Sequence, residues 1–129
     1  MILRLHRRCG KHYLVAFELT KAALLRNLDI ARKLGCLDSA GLDDLRHGKA
    51  ATVKRGPYKG DELSVDHIIP RTVVPELDNV IANLELMPLR MNESKNANVG
   101  PRQLALAEKF HAAGSLSRKG LQKVKRSAS

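Results

Sequence analysis

Aromatic side chains are scarce in this chain: its 129 residues include two Tyr, two Phe and no Trp. That excludes a function built on aromatic platforms stacking unpaired bases, an RNA-recognition-motif sheet among them. Cysteine is equally rare. With only Cys9 and Cys36, no disulfide framework is implied, and both are expected as thiols in a reducing compartment. No stretch approaches the ~18 apolar residues of a membrane helix, and the Met1-Ile2-Leu3 start is interrupted by Arg4 without a signal-peptide core. A cytoplasmic protein with no membrane association is expected.

What the chain has in excess is positive charge. It carries 23 Lys and Arg against 13 Asp and Glu, a formal +10 with a pI near 10.1, and this points to a polyanionic partner. The distribution is uneven. Residues 1–60 hold 13 basic and 5 acidic side chains, 61–100 hold 3 and 7, and 101–129 hold 7 and 1. A pure phosphate binder has no need of a central acidic island, whereas an enzyme that grips a polyanion and holds a metal cation needs both signs. The plainer reading of the split is surface decoration.

The length suits a single domain. Leu14, Phe17, Leu24, Leu28 and Ala31 recur at helical spacing and predict a long amphipathic helix over Tyr13 to Leu34, with Gly35 as its stop. A shorter helix follows from Ser39, read as its N-cap, to Gly48. Lys49 to Gly60 reads as a basic loop. Strands are expected over Glu62 to Ile69, stopped by Pro70, and over Leu84 to Met87, stopped by Pro88. A short helix is expected over Leu89 to Val99, and another from Pro101 to Gly114. The tail from Ser117 is basic, with Leu121 and Val124 to dock and a mobile end. The expected architecture is α+β: a mainly helical single compact domain with a helical scaffold and basic loop (1–60), a strand-strand-helix unit (61–99) and a C-terminal helix with basic tail (100–129).

Reactive side chains concentrate in the middle segment. Successive strand residues point to opposite sides, so Asp66 and His67 are suited to different tasks. Asp66 is a hard oxygen ligand for magnesium or manganese, and Asn92 offers an amide oxygen that can complete a sparse cage left open to water and phosphate. Histidine exchanges protons near neutral pH, which makes His67 the natural general base. Together these residues point to metal-assisted phosphodiester hydrolysis.

Asp66-His67-Ile68-Ile69-Pro70, then Asn83-Leu84, then Asn92 with Lys95 three residues on, resembles the HNH endonuclease family over roughly residues 61–99. The resemblance implies a ββα-metal motif around one divalent cation, with His67 as general base, Asp66 and Asn92 as metal ligands, and Asn83 fixing the loop and orienting the base. The nine-residue step from Asn83 to Asn92 agrees with the family's spacing, and some members take a further ligand where this chain has Asn96. Two departures stand out. Pro88 and Met91 replace the paired cysteines of many relatives, so no structural zinc is expected in the motif. The loop from Arg71 to Ala82 lacks the family's glycine pair and is longer than its compact form.

Each residue alone has a plainer reading: a structural Asp-His pair, a turn at Asn83 or Asn79, a solvated helix face at Asn92 and Lys95. Their joint order and spacing favour the nuclease. Lys54, Arg55, Lys59, Arg71, Arg90 and Lys95 are then expected to contact DNA phosphates, positioning a duplex without reading bases. The main alternative is a catalytically inactive nucleic-acid-binding protein that keeps the HNH scaffold; a small ribosome-associated protein also fits the charge. His6, Cys9 and His12, spaced by three, with Cys36 beyond, form a minor zinc pattern. Protein partners, sequence preference and oligomeric state are not encoded in any recognisable motif.

Overall fold

The computed structural model describes residues 2–128, with side chains described for 11–128. The fold is mixed α and β, mainly helical, with one two-stranded antiparallel sheet among the described residues. Helix α1 runs Ile2–Lys33, α2 Ser39–Arg46, α3 Leu89–Ser94, α4 Pro101–Ala112 and α5 Arg118–Ser127, while β1 spans Leu63–His67 and β2 Leu84–Pro88. No described helix is long and apolar enough to cross a membrane.

The chain packs as two compact units, each assembled from separate stretches, and residues 61–99 are divided between them. One unit comprises Leu24–Asp66 and Leu84–Asn96. Its core gathers Ala31, Cys36, Ala51 and Val53, with Leu34, Leu37, Leu63 and Leu86 packed against them. The end of α1 is as expected: Gly35 takes a φ of +74° and the Cys36 amide donates to the Ala31 carbonyl at 2.9 Å. At α2 the cap differs from expectation. Asp38, not Ser39, is the N-cap, its carboxylate accepting the Gly41 N–H at 2.8 Å; an extended Asp38 places its short side chain over the first turn, while Ser39 is already helical. Gly41 is required by close approach, because a Cβ there would lie 1.9 Å from the Cys36 carbonyl oxygen.

In the same unit α1 guards the free side of β2. Asn27 donates from Nδ2 to the Leu84 carbonyl at 3.0 Å and accepts the Leu86 N–H at 3.0 Å on Oδ1, so one side chain pairs with the strand as a neighbouring strand would. Arg26 adds an ion pair to Glu85 at 3.2 Å. The anticipated strand through Ile69 stops at His67. Ile68 and Ile69 are instead fully buried, a gain of apolar burial that a continuing two-stranded ladder does not offer.

The other unit comprises Met1–Ala23, His67–Asn83 and Ala97–Ser129. Phe110, Ile69, Leu77, Val74, Leu116 and Val124 are its large buried side chains. Pro101 opens α4, where the Gly100 N–H donates to the Gln103 side chain at 3.0 Å. The basic tail is not a mobile extension up to Ala128. It forms α5, capped by Ser117 on the Gly120 N–H at 3.0 Å and anchored by buried Leu121 and Val124. Two apolar residues three apart suffice to dock a ten-residue helix whose other face is solvated.

Candidate active site

His67 closes β1 with its side chain a quarter exposed. Its Nε2 lies 3.0 Å from the Asp78 backbone oxygen and 3.0 Å from Asp78 Oδ1. Both partners are acceptors, which assigns the ring proton to Nε2 and leaves Nδ1 as the nitrogen with a free lone pair. Arg71 approaches the same Asp78 carboxylate at 3.9 Å. Asp78 escaped the sequence reading, which saw Asn79 only as a turn former; the acidic residue beside it was the available signal.

Asn83 is the single buried polar side chain among the described residues. Oδ1 accepts the Ile69 N–H at 2.8 Å, Nδ2 donates to the Ile69 carbonyl at 3.1 Å and to the Leu77 carbonyl at 3.5 Å, and its own carbonyl accepts the Ile68 N–H at 2.8 Å. One amide thus ties both ends of the loop after β1 and holds the turn at Leu77, whose next residue supplies the acceptors for His67. The loop that lacks the glycine pair achieves its shape through two short 3-10 turns, Pro75–Leu77 and Ile81–Asn83.

The second cluster lies on β1 and α3. Asn92 donates from Nδ2 to Ser64 Oγ at 3.1 Å and to the Val65 carbonyl at 3.2 Å. This docks it one peptide before Asp66 and leaves Oδ1 as its remaining acceptor. The Asp66 carboxylate, largely sheltered, is ion-paired with the Lys95 ammonium through Oδ2. Lys95 was expected on a phosphate; it is the partner of Asp66. Helix α3 ends at Ser94, five residues before the expected Val99, and Lys95 is extended at φ −76° and ψ 134°. Ser94 Oγ bonds back to the Met91 carbonyl at 3.1 Å, the local competition that ends helices at serine. Asn96 therefore does not follow Asn92 on a helical turn.

Among the described residues no three His, Cys, Asp or Glu side chains form a metal-binding group. Asp66 and Asn92 each carry an oxygen of the hard type that magnesium or manganese take beside water and phosphate, and Asp66 Oδ2 is held by Lys95. At the places of the family's cysteine pair, Pro88 is buried and Met91 exposed. Cys36 is sealed in its core, its thiol pushed up mainly by burial and also by the nearby Asp38 carboxylate, and Sγ approaches the Thr52 carbonyl at 3.6 Å. The side chains of His6 and Cys9 lie outside the described residues.

Of the expected phosphate contacts, Lys54 is ion-paired with Asp38, and Arg90 lies 3.6 Å from Asp61 and 5.8 Å from the centre of the Tyr58 ring. Arg55 and Lys59 are exposed and have no ion pair among the described residues. Compared with known proteins, the chain matches no family model, no curated protein and no solved structure.

Proposed function

We propose that the chain is a metal-dependent endonuclease that hydrolyses DNA phosphodiester bonds on an HNH-like ββα-metal motif. The observation that carries this reading is the fixed imidazole of His67: Nε2 is committed to Asp78 while Nδ1 keeps its lone pair. A histidine held this way by a backbone carbonyl is oriented to take a proton from water. Asn83 acts as a positioning residue by fixing the turn that presents Asp78.

Asp66 and Asn92 are the residues to hold the cation, which when bound supplies Lewis-acid stabilisation of charge on the phosphate and its leaving oxygen. Docking of Asn92 on the backbone of β1 keeps its oxygen available for that task. Arg55 and Lys59 are the named cations most available to phosphates. The alternative is a non-catalytic DNA-binding protein on the same scaffold, favoured by the Lys95 ammonium that already satisfies Asp66.

Nicking of supercoiled plasmid in magnesium or manganese, with a chelator control, separates the two. His67→Ala is expected to lower the rate at least about a hundredfold while DNA retention at low salt persists. Equal cleavage by parent and variant rejects His67 as the base, and absence of metal-dependent cleavage by the parent favours the alternative.

A further inference from the structure

Helix α5 displays a basic surface that neither catalysis nor packing uses. Lys119, Lys123 and Arg126 recur at steps of four and three along one side of the helix, so successive cations rise about 6 Å and 4.5 Å along its axis. All three are exposed, and α5 contains no acidic residue. The neighbouring Lys125 is ion-paired with Glu108 of α4 at 3.1 Å; Lys119, Lys123 and Arg126 have no such partner among the described residues.

The apolar face identifies the kind of polyanion. A helix that inserts into an anionic membrane needs apolar side chains free to enter the lipid, but here Leu121 and Val124 are buried in the core of the unit. Gly120 is also committed, since a Cβ there would meet Glu76 Oε1 at 2.1 Å and Leu116 Cδ1 at 2.6 Å. What faces solvent is a row of cations on a rigid support, with aliphatic stems and no aromatic to stack on a base. That chemistry suits regularly spaced backbone phosphates and carries no base readout.

We propose that α5 is a phosphate-tracking surface for duplex DNA, with Lys119, Lys123 and Arg126 as its contacts. The choice of DNA rests on the nuclease reading; the surface does not depend on cleavage. The test compares the full chain with the Lys119→Gln, Lys123→Gln, Arg126→Gln triple variant, all three positions being exposed so that folding is retained. Binding to a fluorescent 30-base-pair duplex is measured in a salt series with chelator present, beside vesicles of anionic lipid.

The expected result is a loss of at least about tenfold in DNA affinity at low salt, and a salt dependence shallower by about 0.9 log units per decade of salt for each phosphate contact removed. An Arg118→Gln, Lys125→Gln pair, off the stripe, is expected to lose less. Unchanged affinity and slope in the triple variant overturn the proposal even where the parent cleaves DNA. Stripe-dependent binding to vesicles with no duplex binding also overturns it. Stripe-dependent duplex binding by a parent that never cleaves supports it and leaves the nuclease reading to fail alone.

Discussion

Asp66 illustrates how a residue's role depends on what reaches it. An isolated sheltered carboxylate is costly, and the Lys95 ammonium relieves that cost with a charge-assisted hydrogen bond. On the proposed reading a divalent cation at Asp66 would compete with Lys95 for one carboxylate. Calorimetry with manganese is therefore expected to show binding weakened or lost in Asp66→Ala and tightened about tenfold in Lys95→Met, since removing an internal competitor raises the fraction of chain competent to bind. Equal affinity in Asp66→Ala and parent rejects Asp66 as a ligand. At this scale residue type and order singled out His67, Asn83, Asp66 and Asn92, and the structure gives the hydrogen bonds and the ion pair that hold each of them. The sequence was silent about Asp78 and about Lys95 on Asp66, which depend on the path of a loop and on where a helix stops.

Helix α2 shows how one element joins a cap to a charge pair. Lys54 is the main cause, and the Gly41 N–H the second, of an Asp38 carboxyl held below the ordinary aspartate value. A depressed folded-state value means that the contribution to stability is present above the unfolded-state value and is lost as pH falls through the lowered one. Parent and Asp38→Ala are thus expected to differ in thermal midpoint at neutral pH and to converge in strong acid; a difference that grows on acidification contradicts the assignment. Periodicity located α1, α2 and α4, but a buried face accounts for it only in α4, where Ala107 and Phe110 are buried; in α1 Leu14, Phe17, Leu24 and Leu28 are half or more exposed and Ala31 alone of that series is buried, and in α2 Leu42 and Leu45 are exposed. Boundaries followed local hydrogen bonding that periodicity does not encode: Asp38 displacing Ser39 as cap, Ser94 closing α3, β1 stopping so that Ile68 and Ile69 enter the core. Helix α5 has no sequence signal beyond Leu121 and Val124, the two residues expected to dock the tail, and that small apolar contact anchors a helix whose remaining surface is charged.

Charge is the property of the whole chain. At +10, with its acidic residues concentrated in 61–100 and much of that charge already paired in Asp61–Arg90, Asp66–Lys95 and Asp78–Arg71, the basic excess falls to the flanking segments. If the chain binds DNA as proposed, counterion release dominates, and log affinity is expected to fall linearly with log salt, with most retention lost between roughly 50 and 200 mM. Retention that ignores salt over that range argues for base or apolar recognition and against this reading. Composition gives the sign of the chain's own charge, but not which cations are spent on internal carboxylates, because pairing is a matter of distance.

The corner at Gly41 bears on descent. With the Cys36 carbonyl oxygen 1.9 Å from where a methyl carbon would stand, that position tolerates hydrogen alone. Divergent cousins that keep this bend must therefore keep glycine there even after their surface cations have drifted, and one bearing alanine has rebuilt the turn between its first two helices.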